Sequence, residues 1–224
     1  MQYHSLTVCN SSVYCCDVVR DLGVYLDSEL QMKRHVNKVV SLCYYHLRRL
    51  FQLRNLVSKQ VMTQRVTALI LSRLDYCNSL LIDVPASTIA PLQHVQNTAA
   101  CLVLGLDRRS HITPALRQLH WLPVRFRIIF KVAVTMHHVF HQRCPSYLTS
   151  LISFSAADPG RSRLRASSTR AAITVRTRTS LGRRAFSVSG PSVWNNLPAE
   201  LRLIDSHPLF RRRLKSHLFE LAFN

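Results

Sequence analysis

The residues best suited to chemistry in this chain are arginines. Arg161, Arg163, Arg165, Arg170, Arg176, Arg178, Arg183 and Arg184 follow one another with no Asp or Glu between Pro159 and Ala199. An extended Arg161-Ser162-Arg163-Leu164-Arg165 run sets three guanidinium groups on one side at intervals of roughly 6.6 Å. Guanidinium forks take phosphate oxygens two at a time, so this spacing can follow a polyanion. Ser162, Ser167, Ser168 and Thr169 add hydroxyl donors. The plainer reading of the same residues is a solvated cationic loop that contacts nothing specific.

Other chemistries find less support. His137 and His141 stand at i and i+4 with Cys144 a turn further on, a spacing that suits two zinc ligands. There is no C-x-x-C, no H-E-x-x-H and no fourth ligand, so a helix carrying partly exposed histidines is preferred and no metal is expected. No G-x-S-x-G elbow exists, and nothing places a histidine as base beside Cys77. The five glycines, Gly23, Gly105, Gly160, Gly182 and Gly190, are far apart, which excludes the glycine-rich phosphate loops of Rossmann and P-loop enzymes. Stacking on bases would need exposed aromatics. Tyr44, Tyr45 and Tyr147 are available, whereas Trp121 and Trp194 sit in apolar runs and read as core.

The charge balance points to an acidic partner. Thirty Lys plus Arg stand against eleven Asp plus Glu, a net charge of +19 over 224 residues, and 47% hydrophobic content suffices for a core. From Arg108 to Ala199, fifteen cations face one acid, Asp158. The first fifteen residues form no secretory signal, and no apolar run approaches the roughly 20 residues of a membrane span. Seven cysteines without framework spacing indicate a reduced, intracellular protein, in nucleus or cytoplasm.

These residues must be positioned by helices. Val19–Asp27 is β-rich around Leu22, Val24 and Leu26. Ser28 with Gln31 forms a capping-box pattern, opening a helix with Val36, Val39, Val40, Cys43, Leu47, Leu50 and Phe51 inward. A second helix is expected from Ser58 to Leu81. A third, capped by Ser87 and ended by Gly105, turns Ile89, Leu92, Val95, Ala99, Leu102 and Val103 inward. Thr113-Pro114 opens a short helix, Pro123 precedes a long one over about Val124–Phe140, and Cys144-Pro145-Ser146 restarts another. Ile173, Val175, Thr177 and Thr179 alternate with Arg176 and Arg178 like a half-exposed strand, with Phe186 and Val188 on a partner strand across Gly182. Ser206 caps a last helix burying Phe210, Leu214, Leu218 and Leu221. The fold expected is mainly α. An antiparallel bundle over 28–106 follows a strand segment in 1–27. A small basic α+β domain over 107–224 comes next, with a short hairpin and a flexible Arg-rich loop at about 153–170.

Several runs, in order, carry a resemblance: VRDLGVYLDS (19–28), ALILSRLDYCNSLL (68–81), LQHVQNTAACLVLGL (92–106), LHWLPVRFRIIFK (119–131), PSYLTSLI (145–152) and RTRTSLGRRAFSVSGPSVWNNLPAELR (176–202). Together they resemble the C-terminal part of LINE-type, non-LTR retrotransposon reverse transcriptases of the jockey-like or chicken-repeat group, over about residues 18–219. Residues 1–17 match poorly, which reads Met1 as a start inside a decayed frame. The resemblance implies that Leu22-Gly23-Val24 belongs to a primer-grip edge of the palm and that 28–106 is the thumb. Lys33, Arg34, Lys38, Arg48, Arg49 and Arg54 on the first helix would then face the phosphates of a template–primer duplex. The family's palm holds metal with clustered aspartates. Two-metal phosphoryl transfer needs carboxylates holding cations roughly 4 Å apart, and this sequence has no adjacent Asp pair.

The expectation is therefore a non-catalytic fragment without cofactor, the Mg belonging to a palm that this chain lacks. It would bind RNA or RNA/DNA duplex through phosphates, with the palm of its parent polymerase as a further partner and no membrane. The alternative is a decayed transposon-derived piece acting at most as a structural or interaction protein. Exposed apolar surface near Val24 and Leu26 would mark the loss of the palm. No helix–turn–helix pair with a reading helix is seen.

Overall fold

The computed structural model describes residues 5–9, 11–14, 16–107, 109–155 and 168–224. Two hairpins open the chain. In the first, β1 (Ser5–Val8) pairs antiparallel with β2 (Ser11–Tyr14), Ser5 opposite Tyr14. In the second, β3 (Val18–Asp21) pairs with β4 (Val24–Asp27), Val18 opposite Asp27 and Asp21 opposite Val24. Leu22 and Gly23 connect β3 to β4 with φ of 43° and 85°. Positive φ at both central residues matches the twist of a two-residue hairpin. Leu22, which the β-rich pattern placed in a strand, is thus the turn and is 83% exposed.

Helix α1 (Lys33–Gln52) follows. Its start is closed by Asp27, whose carboxylate accepts the backbone N–H groups of Gln31 at 2.7 Å and Met32 at 3.0 Å. The expected capping box at Ser28 does not form: the helix begins at Lys33 after Met32, with no side-chain cap, and Asp27 holds the turn that leads into it. Val36, Cys43, Leu47 and Leu50 are buried along one stripe, and Val39, Val40 and Phe51 pack against them.

The expected second helix is divided. α2 (Lys59–Val66) begins where the Ser58 hydroxyl accepts the N–H of Val61. It runs into a π-helical turn (Thr67–Leu71) and a short α3 (Ser72–Asp75). Tyr76 is then extended, Cys77 has φ of 50°, and a 3-10 turn spans Asn78–Leu81. No Gly or Pro breaks the chain here. Instead Thr63, Thr67 and Ser72 each return a hydroxyl to the carbonyl four residues back, contacts that compete with the helical ladder.

α4 (Ala86–Leu104) ends on Gly105, whose φ of 73° is the left-handed conformation that stops a helix. Pro85 precedes its first residue, so Ser87 lies inside the first turn and not at the cap. α5 (Ile112–Gln118) likewise begins just before Thr113-Pro114. α6 (Val124–Phe140) keeps the limits set by Pro123 and the apolar period. α7 (Ser146–Thr149), α8 (Ser180–Arg184), α9 (Phe186–Asn195), α10 (Ala199–Arg202) and α11 (His207–Phe223) complete the chain.

The mainly helical class with short hairpin pairing therefore stands, but the hairpins lie at the N-terminal end. Ile173–Thr179 is not a strand, and Phe186 and Val188 are helical. One isolated bridge, Phe154 with Ala172, is the strand-like pairing described there. On the other side of that bridge the Asn195 side chain accepts the Ala172 N–H at 2.9 Å and donates to the Ala172 carbonyl at 2.8 Å, where a second strand would pair. Thr179, at the end of the run, accepts the Gly182 N–H and so caps α8.

Two hydrophobic clusters share α6. Ile128 and Val132 join Val36, Leu47, Ile70 and Leu92 in the first; Ala133, Met136 and Val139 join Trp194, Phe210 and Leu214 in the second. Because α6 is buried on two sides, its buried residues run around the helix, and Phe126, Ile129, Phe130 and Phe140 are only half-buried. Trp121 and Trp194 are core, and Leu221, expected inside, is exposed. Val24 is buried and Leu26 packs on the first cluster, while Val19, opposite Leu26, is 50% exposed and Leu22 83%, so the hairpin does expose apolar side chains beside those two residues. No described helix is long and apolar enough to cross a membrane.

Candidate nucleic-acid interface

The exposed face of α1 carries Arg34, Lys38, Tyr45, Arg48 and Arg49, residues that the 3.6-residue period aligns in one stripe. Lys33 is exposed at the start of the same helix. The β3–β4 hairpin lies beside this helix, and α3 flanks it. Between them runs a groove of about 750 Å³ lined by Arg20, Gly23, Tyr25, Lys38, Tyr45, Arg73 and Tyr76 among others. Three cations and three tyrosines face it, and no Asp or Glu does.

Local contacts hold these side chains. The Arg20 guanidinium lies 5.7 Å from the Tyr25 ring centroid, and that of Arg49 lies 5.1 Å from Tyr45. Such cation–π pairs orient the charge while leaving its outer N–H groups free. The Tyr25 N–H approaches His35 Nδ1 at 3.5 Å, joining β4 to α1. Burial lowers the His35 pKa, so the ring serves as a neutral acceptor. Arg73 stands close enough to α1 to act on Cys43 and His46. Burial first, then Arg73 and Arg49, lower the His46 pKa. The Cys43 thiol is pushed up to about 11 by burial despite Arg73. The Arg73 Nε is buried with no protein acceptor.

Of the family-implied residues, Lys38 and Gly23 are thus brought together at one groove, with Leu22 in the turn above it and Val24 in the core below. Arg54 is separated from them. It follows the end of α1 and lines another concavity with Asn97, Asp107 and Arg109, its guanidinium 3.0 Å from where a Gly105 Cβ would stand.

The Arg series divides as well. Arg161, Arg163 and Arg165 lie outside the described residues. Arg176, Arg178 and Arg183 are exposed. Arg170 pairs with Asp205 at 2.8 Å and stands 4.7 Å from the Phe140 centroid, while Arg184 donates to the Leu30 carbonyl. Both are partly exposed and are held by contacts within the protein. Arg20, Arg73, Tyr25 and Tyr76 were not singled out from the sequence. Only the Arg73-x-x-Tyr76 spacing, one helical turn, hints at a shared face.

Among the described residues no group of three or more His, Cys, Asp or Glu could hold a metal ion. His137 and His141 do approach, ring centroids 4.4 Å apart, but His137 Nε2 is 2.9 Å from the Ile204 carbonyl oxygen. The described cysteines, Cys9, Cys16, Cys43, Cys77, Cys101 and Cys144, are free thiols. No protein-family model matches this chain, and no curated protein or solved structure matches it either.

Proposed function

We propose that this chain binds nucleic acid without catalysing a reaction on it, holding the sugar–phosphate backbone in the groove between the β3–β4 hairpin, α1 and α3. The observation that carries the reading is the groove's lining: Arg20, Lys38 and Arg73 with Tyr25, Tyr45 and Tyr76, and no carboxylate. Guanidinium and ammonium groups meet phosphates, and exposed tyrosine faces can stack on bases at a strand end. The reading agrees with the resemblance to the thumb and C-terminal part of a LINE-type reverse transcriptase, acting in nucleus or cytoplasm beside a separate palm. Phosphate contacts carry no base information, so binding should depend on backbone and shape more than on sequence.

The test uses Arg20→Ala with Lys38→Ala, two exposed positions, and a fluorescent RNA hairpin. Binding at low salt should weaken tenfold or more while the circular-dichroism spectrum and melting stay as in the parent. Parental affinity in the double variant would overturn the groove assignment.

A further inference from the structure

A second cationic concavity lies across the 67–76 segment from the groove. Thr67, Leu71 and Asp75 line it, recurring every four residues on one helical face, whereas Ser72, Arg73 and Tyr76 line the groove. This cleft, of about 480 Å³, is completed by Arg127 and Lys131 of α6 and by Arg211 and Lys215 of α11. Each pair is four residues apart, so each helix turns two cations to the same side.

The charges in the cleft are not equivalent. Arg127 NH1 donates to both Asp75 carboxylate oxygens, at 2.8 and 2.6 Å, and Arg127 Nε donates to the Leu122 carbonyl at 3.0 Å. That pair is neutral and fixed. Lys131, Arg211 and Lys215 are exposed and form no ion pair with any described residue. Asp75 is the one acid lining the cleft, and Arg127 already occupies it. Three like charges converging from two packed helices repel one another. An anion between them would relieve the repulsion.

We propose that this cleft is a second phosphate site, taking backbone phosphates of the same nucleic acid on Lys131, Arg211 and Lys215. The 67–76 segment is then a partition with a phosphate-binding concavity on each side. The inference rests on the nucleic-acid reading of the groove, and the two are separable because they use different residues.

Lys131→Ala, Arg211→Ala and Lys215→Ala are combined in the full chain and compared with the Arg20→Ala, Lys38→Ala variant. RNA-hairpin affinity is measured by anisotropy at several salt concentrations, with melting checked for each protein. Loss of three phosphate contacts should flatten the dependence of log K on log salt by about 2 to 3 in slope, with melting at or above that of the parent. The groove variant should lower the slope separately. An unchanged slope in the triple variant, alongside weakened binding in the groove variant, overturns the cleft and leaves the groove standing. A parent chain that binds no RNA overturns both.

Discussion

The Tyr76 phenol donates a 2.5 Å hydrogen bond to the Leu22 carbonyl, fifty-four residues earlier in the chain. The contact pins the β3–β4 turn onto the point where the second helix breaks, and so closes one end of the groove. Tyr76→Phe removes the donor and keeps the ring. It should lower the denaturation midpoint slightly, because the bond is exposed to water, with faster amide exchange in the hairpin around Gly23 and Val24. Parental exchange at the hairpin would show that the turn is held by something else.

A close approach of helices yields a second prediction. Gly190 of α9 lies against α6 so closely that a Cβ there would stand 2.8 Å from Met136 Sδ and 3.2 Å from Phe186 Cε2. Met136 is fully buried, and neighbours on both sides limit its retreat. Gly190→Ala should therefore destabilise by about 1 to 3 kcal/mol through overpacking, visible as a lower urea midpoint with unchanged slope. A midpoint equal to the parent's would mean that Met136 repacks freely.

His137 gives the fold a pH dependence. It is fully buried, stacked on Phe210 with centroids 4.3 Å apart, and its Nε2 lies 2.9 Å from the Ile204 carbonyl. Burial is the main cause that holds its pKa down to about 4. The Ile204 contact opposes this, and His141, His207 and His138 reinforce it. Arg143, Arg170 and Arg211 face the same cluster, with Asp205 as the acid beside His141. The folded pKa lies below the unfolded 6.5, so between these values the unfolded chain takes up a proton that the native chain refuses. Stability is full above pH 6.5, falls as pH drops towards 4, and levels below it. The His137 share of this loss is about 3 kcal/mol. Urea midpoints at pH 7.5 and 4.5 measure the loss, and His137→Gln should flatten it while keeping a donor for Ile204. An equal loss in that variant would remove His137 as the cause.

Local signals made much of the fold readable. Pro123 and the apolar period mark α6, Gly105 marks the end of α4, and the Val36-to-Leu50 stripe marks the buried face of α1. What the sequence concealed was set at long range. Nothing near Tyr76 announces the helix break, because it depends on serine and threonine hydroxyls bonding backwards and on a turn fifty-four residues away. The Thr–Arg alternation at 173–179 imitates a strand, yet the pairing stops at the Phe154–Ala172 bridge, and the free side of Ala172 is taken by the Asn195 side chain.

The candidate site divides in the same way. Lys38 came from the resemblance, on a helix whose apolar period is readable. Arg20 and Arg73 lie on separate elements that only the packing brings beside it. Arg170 reads as one more cation in a row, and only the packing sets Asp205, on the other side of α9 in sequence, against it.

Binding of nucleic acid through several phosphates at once, as proposed, makes affinity fall steeply with salt. The most direct measurement is the affinity of the full chain for an RNA hairpin between about 50 and 300 mM salt. Engagement of five to eight phosphates predicts that log K falls against log salt with a slope of about −4 to −7. A flat response over that range, or no binding at its low end, would contradict the account.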